Sequence, residues 1–370
     1  MGMSRQCHFC IAASSELMVI LSMATSLADL RSRLGAIVVA FDKKGAPVTT
    51  DDLGVTGGVA VLLKDAIRPT LMQTLEGCPV LVHTGPFANI AHGSSSILAD
   101  LIALKLVGPD GFVVTEAGFG ADIGFEKFAD IKVGWCFDNT LIFSFFLHCR
   151  ASGLAPDAVV LVVTIAVLKR QGGSGEGANP SPIQPGSEES LSLIQRGCNN
   201  MIHHIKSIRK FGMAAVVAIN RFSTDLDSEL EVVRSKAITG GAFSAVVCDS
   251  WASGAKGASE LANAIKDACA ESSSGFCFLY SGSESLRTKI ERITTLGIDK
   301  LPVCLAKTPL SISMDLKLLG VPTGYTLSIR EIKAYGGAGF LRAQTGDIQT
   351  MPGLPVRPAF FDMHIGSVTG

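Results

Sequence analysis

The chain has 370 residues, enough for two or three domains with cores of their own. Its 32 Lys+Arg are balanced by 33 Asp+Glu, so no basic face is implied and nucleic acid is excluded as the default partner. The longest apolar runs, 159–168 and 140–147, are too short to span a bilayer, and Glu16 interrupts the one early apolar stretch, which argues against a signal peptide.

Small apolar residues, 39 glycines and only 6% aromatics suit α/β packing with tight strand–helix turns. Ten cysteines are scattered, several in apolar runs (Cys248, Cys277, Cys304), and read as reduced thiols. Cys7 and Cys10 form a C-x-x-C, but no second pair follows at zinc-finger spacing, so no structural metal is expected there.

In chain order, Leu17, Leu21, Ala24, Leu27, Leu30 and Leu34 recur at helical spacing, with Ser14 or Ser15 as cap and Gly35 as stop. Residues 37–41 read as a strand, 55–66 as a helix and 79–83 as a short buried strand. A helix is expected over 94–107, with serines at its start and Gly108 at its end. Strands are expected at 112–116 and 158–165. The Gly-, Pro- and Ser-rich stretch 171–187 reads as a surface loop. Leu191, Ile194, Cys198, Met201, Ile205 and Ile208 then mark a long helix ended by Gly212. Strands at 214–219 and 245–248 follow, each trailed by a helical pattern, with further strands at 276–280 and 301–305. Apolar runs without alternation, separated by amphipathic helices, imply a parallel sheet covered on both faces. One segment, 134–148, has neither helical period nor turn chemistry and looks inserted.

Several loops at strand ends carry chemistry. In Thr115-Glu-Ala-Gly-Phe-Gly-Ala-Asp-Ile-Gly124, Glu116 closes a strand and Gly118 and Gly120 allow backbone amides to approach an anion. Asp122 is a candidate Mg²⁺ ligand through water, and a helix beginning near Gly124 would add its dipole. On spacing alone, an ordinary Gly-rich turn at the carboxyl end of a strand is the favoured reading. In His83-Thr-Gly-Pro-Phe-Ala-Asn-Ile-Ala-His-Gly-Ser-Ser-Ser96, Ser94 and Ser95 begin a helix, where amides favour anions, or are simply caps. His92 is a base or a packed side chain.

Phe222 and Trp251 follow two consecutive strands, where ligands of open parallel sheets bind and a flat ring can be stacked. The alternative is that both fold back as lids on the core. Residues 322–325 and 351–358 read as rigid turns, and Gly336-Gly-Ala-Gly-Phe340 as a phosphate loop without a following helix.

Taken together, longer strings are more specific. DKKGAPVTTDDLGVTGGVAVLLKDAI, TLEGCPVLVHTGPFANIAHGSSS, VTEAGFGADIGFEKF, INRFSTDLDSELE, LPVCLAKT, GVPTGY and TMPGLPVRP, in this order, closely resemble formate–tetrahydrofolate ligase. The resemblance also holds for the C-terminal part of C1-tetrahydrofolate synthases and runs from about Phe9 to Asp362 with gaps. It implies ATP-dependent ligation of formate to tetrahydrofolate through formyl phosphate, giving 10-formyltetrahydrofolate. It implies Mg²⁺ and allows a monovalent cation. The fold implied is α/β: a P-loop-NTPase-like, mostly parallel sheet, followed by two smaller α/β domains. The expected boundaries are 1–200 for the nucleotide-binding part, with 133–148 inserted, 201–298 for a folate-binding domain and 299–370 for a C-terminal domain.

The resemblance assigns Glu116, Gly118, Gly120, Asp122, Ser94 and Ser95 to the phosphate and Mg²⁺ side of the nucleotide site. It assigns Phe222 and Trp251 to stacking of the pterin, with Val247 beside the ring. The family's phosphate lysine lies in a T-P-L-G-E-G-K-[ST] loop; no Gly-Lys-Ser or Gly-Lys-Thr occurs in these 370 residues, and the chain is expected to begin downstream of it. The family's T-x-R-A-L-K-x-H-G-G reads here with Ala166 for Arg and Gln171 for His, and extra family residues are missing around 292–297. These departures predict no turnover by this chain alone, poor solubility from exposed apolar surface and an open sheet edge, and, as the alternative function, a non-catalytic folate-binding or subunit-interaction remnant. Small molecules are the expected partners, with no membrane, a homo-oligomer in intact relatives, and a cytoplasmic location with mitochondrial and plastid as alternatives.

Overall fold

The computed structural model describes residues 11–87, 90, 92–118, 120–133, 154–173, 183–271, 275–277, 279, 301–306, 312–315, 317–345 and 357. The Cys7–Cys10 pair, the inserted segment 134–148, the stretch 292–297 and most of 351–358 lie outside the described residues.

The single helix expected over 17–34 is two helices, α1 (Glu16–Met23) and α2 (Leu27–Gly35). The break is chemical. Ser26 Oγ accepts from the Asp29 amide at 3.1 Å, and Asp29 Oδ2 accepts from the Thr25 amide at 3.0 Å. This exchange between cap and first turn starts a new helix. Ser15 precedes α1, but its hydroxyl donates back to Ala12 O and does not cap.

Strands β1 (Val38–Phe41) and β2 (Pro47–Thr49) form an antiparallel pair, and helix α3 (Thr56–Leu63) follows. Strands β3 (Thr70–Gln73) and β4 (Pro79–Val82) form a second antiparallel pair. Helix α4 (Ile97–Val107) is capped by Ser96, whose Oγ accepts from the Ala99 amide at 2.9 Å, and is closed by Gly108 at φ +70°.

Two expectations fail in this region. The strand at 79–83 is mainly exposed, because it belongs to a two-stranded hairpin and not to a covered sheet. Residues 112–116 form no ladder; among the described residues no strand lies beside them, and the segment's end is held by the Ser94 amide donating to Glu116 O at 3.2 Å.

A helical stretch at 120–133 begins four residues before the expected Gly124. Gly120–Phe125 and Phe128–Val133 are wound in wide π-type turns, a form that recurs at functional sites.

The expected parallel sheet is present as β5 (Ala158–Val163), β6 (Ala214–Asn220) and β7 (Ser244–Cys248), in that order, with Leu161↔Val217 and Val217↔Ala245 in register. Around it lie α5 (Ile165–Gln171), α6 (Glu188–Lys210), α7 (Asp227–Thr239), the short α8 (Ser250–Ser253) and α9 (Ser259–Glu271). Ile194, Cys198, Met201 and Ile205 of α6 pack against Ala215, Val217 and Ile219 of β6. The alternate residues Val216 and Ala218 are buried as well, and α9 contacts all three strands, so the sheet is covered on both faces.

Helices α5 and α6 pack backbone to backbone. A Cβ on Gly197 would lie 1.9 Å from Leu168 O, and one on Gly172 would lie 1.9 Å from Leu193 O.

Strands β8 (Val303–Ala306), β9 (Glu331–Tyr335) and β10 (Phe340–Gln344) form a mixed sheet in the order β8-β10-β9. Its Tyr335 and Phe340 share a core with Ile20, Leu30 and Leu34 of α1 and α2. Parallel pairing among the described residues is therefore confined to β5–β6–β7 and β8–β10, and strands β1 to β4 form antiparallel hairpins in place of the expected parallel strands. Phe276 and Cys277 are in no ladder; the Cys277 amide donates to Phe211 O at 3.0 Å.

The glycines at 336–339 form the turn between β9 and β10, not a phosphate loop. Glu16 Oε1 accepts from the Gly337 amide at 2.9 Å and the Ala338 amide at 3.2 Å, so the amides that would greet an anion already hold a carboxylate. Among the described residues no helix is long and apolar enough to cross a membrane.

Candidate functional site

Strands β6 and β7 are neighbours, roughly 4.8 Å apart, and their carboxyl ends open side by side. The Arg221 amide donates to Cys248 O at 3.0 Å, so the ladder extends one residue past Asn220. Phe222 follows at once. Its amide donates to Asp225 Oδ2 at 2.8 Å and the Asp225 amide returns to Phe222 O at 3.0 Å. This closed turn fixes the backbone while the ring stands 52% exposed.

Trp251 sits in α8 after β7. The Asp249 amide donates to Gly257 O at 3.0 Å, and a Cβ on Gly257 would lie 2.2 Å from Asp249 O, so the loop is pinned tightly at its base. The indole is nonetheless 95% exposed. Neither ring is folded back as a lid on the core. Two large apolar faces held in water on anchored loops are the feature of this chain that most calls for a ligand. Val247, one strand position before Cys248, is half-buried and packs on the core beneath.

The glycine-rich loop is a second centre. Gly118 and Gly120 adopt φ of +88° and +76°, the left-handed region that favours glycine. Gly124 is required by contact: its Cβ would lie 2.5 Å from Gly118 C and 2.6 Å from Gly118 O. Glu116 is exposed and its carbonyl holds Ser94. Ser94 is exposed and Ser95 half-buried, with Ser95 O accepting from Lys132 Nζ at 2.9 Å.

Lys132 is 1% exposed and pairs with Asp100 Oδ2 of α4 at 2.7 Å. Residues 94–95 and Glu116 are therefore one substructure, joined by the Ser94–Glu116 bond and braced by a buried ion pair. Sequence reasoning missed that pair because the separation of Lys132 and Asp100 along the chain hides the contact.

Asp122 lies in the first turn of the helical stretch, with Oδ1 3.8 Å from Nδ1 of His204. His204 is near the end of α6, and Phe125 packs edge-on against Phe211 at 5.2 Å, where α6 turns into β6. Asp122 thus lies beside α6, whereas Phe222 and Trp251 follow the carboxyl ends of β6 and β7. The structure joins Ser94 to Glu116 and sets Asp122 beside Gly120, while Phe222 and Trp251 follow the paired strands β6 and β7. A cavity of about 280 Å³ lies between the helical stretch and the C-terminal sheet, with Asp122, Glu126 and Asp130 on one wall and Val303, Leu341 and Ala343 on the other. Among the described residues no group of three or more His, Cys, Asp or Glu is arranged to hold a metal ion.

His92 is fully buried. Its Nε2 lies 2.9 Å from Ser22 Oγ and its Nδ1 3.3 Å from Ile90 O; burial, then the charge of Lys132, holds its pKa down to about 3. It is a neutral packed side chain, not a base. His83 is likewise structural, spanning Ser96 Oγ at 2.6 Å and Ala66 O at 2.7 Å.

The altered family motif has structural work. Lys169 Nζ lies 2.9 Å from Glu229 Oε1, a carboxylate that also accepts from the Gly186 amide at 3.0 Å and from Ser190 Oγ. Burial pushes the Glu229 carboxyl up, but these donors outweigh it and leave its pKa below the ordinary value. Gln171, where a His was expected, accepts from the Gly320 amide at 2.9 Å, while Asn200 Nδ2 donates to Gly320 O at 2.9 Å. Together they moor the Gly-Val-Pro-Thr-Gly-Tyr loop. Ala166 is exposed and makes no comparable tie.

The formate–tetrahydrofolate ligase sequence model matches residues 1–296 and 288–370. The chain belongs to the formate–tetrahydrofolate ligase family. It is 45% identical over 392 aligned residues to formate–tetrahydrofolate ligase of Arabidopsis thaliana, with all of this chain and 59% of that protein covered. It is 47% identical to the cytoplasmic C-1-tetrahydrofolate synthase of Homo sapiens, covering 40% of it, and 47% identical to the mitochondrial monofunctional C1-tetrahydrofolate synthase of Mus musculus, covering 38%. The chain thus spans between about two fifths and three fifths of the length of these relatives. The two matched family segments meet at 288–296, where the sequence reading places missing family residues.

Proposed function

We propose that this chain supplies the tetrahydrofolate-gripping loops, and one wall of the phosphate site, of an ATP-dependent formate–tetrahydrofolate ligase. The observation that carries the reading is the pair Phe222 and Trp251, exposed on anchored loops at the carboxyl ends of adjacent parallel strands. A pterin is flat, and an aromatic pair at this place suits stacking its two faces.

The chemistry asks two things of the protein. A carboxylate is a poor acyl donor because its oxygen leaves badly, so formate must first take a phosphoryl group from ATP. The N10 of tetrahydrofolate is a weak nucleophile and must then be held against the formyl carbon while phosphate leaves. Orientation supplies much of the second step, and Phe222 and Trp251 provide it by fixing the ring plane. Amides at Gly118 and Gly120 and hydroxyls at Ser94 and Ser95 suit phosphate oxygens.

Mg²⁺ takes few protein carboxylates and several phosphate and water oxygens. Asp122 has the right donor chemistry, and the ion would supply charge neutralisation on phosphate. The sequence contains no Gly-Lys-Ser or Gly-Lys-Thr, so the γ-phosphate lacks its lysine in these 370 residues. Losing one preorganised donor costs about 10²–10³ in rate, and we expect no measurable turnover from these residues alone. Family relatives named cytoplasmic and mitochondrial leave both compartments open to this chain, and homo-oligomerisation belongs to the same proposal.

The test is tetrahydrofolate affinity. Phe222→Ala changes an exposed ring, leaves the fold intact by circular dichroism, and is expected to weaken binding about 10-fold. Affinity unchanged by Phe222→Ala rejects the stacking role.

A further inference from the structure

We propose that Glu76, at the tip of the β3–β4 hairpin, accepts the donor edge of the pterin and so sets the rotation of the ring between Phe222 and Trp251. The inference rests on the folate reading and adds a contact at the ring's edge. Stacking holds a flat ring in its plane but leaves it able to turn within that plane. A directional bond at the edge decides which way N10 points, and orientation is what the second chemical step needs. A pterin offers such an edge, because its 2-amino group and N3–H are adjacent donors. A carboxylate accepts such a pair, one oxygen to each donor.

The structure places a carboxylate there. Glu76 Oε1 lies 4.0 Å from where a Cβ on Gly254 would sit. Gly254 closes α8, three residues after Trp251. Residues three apart on a helical turn stand about 5–6 Å apart at Cβ, so Glu76 Oε1 is at most about 10 Å from the Cβ of Trp251. That is the span of a bicyclic ring laid on the indole with a hydrogen bond at its edge. The carboxylates of the two loops themselves are engaged. Asp225 Oδ2 holds the Phe222 amide at 2.8 Å, Asp227 Oδ1 pairs with Arg221 at 3.0 Å, and Asp249 Oδ2 accepts from Ser253 Oγ at 3.3 Å. Glu76 is exposed to solvent.

The tip is held in shape. The Thr74 amide donates to Cys78 O at 2.9 Å and the Gly77 amide to Thr74 O at 3.0 Å. The Cys78 amide donates to Thr74 Oγ1 at 3.1 Å, and Gly77 takes φ +83°. At the hairpin's base His83 spans Ala66 O and Ser96 Oγ. Leu75, beside Glu76, is fully exposed. The tip therefore carries one apolar and one acidic side chain into solvent beside the Trp251 loop, a pairing that suits the edge of an aromatic ring with donors.

The experiment uses the full 370-residue chain carrying Trp135→Phe, which leaves Trp251 as the sole tryptophan. The probes are tetrahydrofolate and its 2-desamino-2-methyl analogue, in which a methyl keeps the shape and removes the exocyclic donor. Quenching of Trp251 gives both affinities. Tetrahydrofolate is expected to bind at least about 10-fold more tightly than the analogue, as one hydrogen bond to a charged group allows. Glu76→Ala changes an exposed side chain and should leave the fold intact by circular dichroism. It should weaken tetrahydrofolate more than the analogue and bring the two affinities within about 2-fold of each other. Glu76→Gln, which keeps the shape but turns one acceptor into a donor, should do the same. No preference in the parent chain, or a preference undiminished in both variants while Trp251 is still quenched, overturns the role of Glu76 and leaves the stacking reading standing. A folded parent chain that tetrahydrofolate does not quench overturns both.

Discussion

Asp100→Ala removes the partner of a cation that is 1% exposed. Lys132 Nζ also lies 2.9 Å from Ser95 O and 5.3 Å from the centroid of the Phe128 ring. Breaking a buried pair by deleting one member costs up to about 3–5 kcal/mol, because the remaining ion stays desolvated and loses that carboxylate. Against a total stability of about 5–15 kcal/mol the loss is large. Replacing both members, Asp100→Ala with Lys132→Met, removes the stranded charge and should return most of that loss. Urea unfolding of the four proteins measures the coupling directly. The reasoning is refuted if the double variant is as unstable as the sum of the singles, or if Asp100→Ala costs less than about 1 kcal/mol. The same pair braces Ser95 against the glycine-rich loop, so Asp100→Ala should also raise hydrogen exchange at residues 93–96.

Three further outcomes are expected. Burial raises the Glu16 carboxyl to about 7 despite the amides of Ala338 and Gly337. The folded state thus holds a proton that the unfolded chain has lost above about pH 4.3, so stability falls as pH rises from there to 7, by on the order of 3 kcal/mol. Glu16→Gln keeps an acceptor for both amides and cannot ionise. The difference in unfolding free energy between wild type and this variant should carry the slope, apart from the opposite trend of His92, which both proteins share. A difference independent of pH would count against the burial of Glu16. Gly197→Ala should destabilise by about 1–3 kcal/mol although alanine favours helix, because its Cβ meets Leu168 O; a raised melting temperature would contradict the close packing of α5 and α6. Gly124→Ala should likewise disorder the loop at 117–120, read as faster exchange there and not in β5–β7.

Much of the fold was legible because its signals are local. Helix α6 shows its apolar stripe from Leu191 to Ile208 and its stop at Gly212, and the helix found there ends at Lys210, just before that glycine. Strands β6 and β7 are short apolar runs bounded by helices, and their pairing follows from that. The failures are tertiary. Residues 112–116 have a strand's composition, but a strand is made by its neighbour, and none is described. The glycines at 336–339 suit a phosphate loop and a hairpin turn equally, since both demand free amides and permissive φ. Only the structure shows Glu16 occupying those amides from more than 300 residues away. The break at 24–26 was readable after all, in the Ser26–Asp29 cap that the leucine spacing masked. At the candidate site, sequence named Phe222 and Trp251; it had no means of seeing that Asp122 would face His204 of α6.

Trp135 and Trp251 are the two tryptophans, which makes the indole its own reporter. Tetrahydrofolate is titrated into the purified chain and into its Trp135→Phe and Trp251→Phe variants, with intrinsic fluorescence followed at each step. Saturable quenching in the wild type and Trp135→Phe, absent in Trp251→Phe, is the predicted result. A folded chain whose Trp251 emission does not respond to tetrahydrofolate would contradict the account.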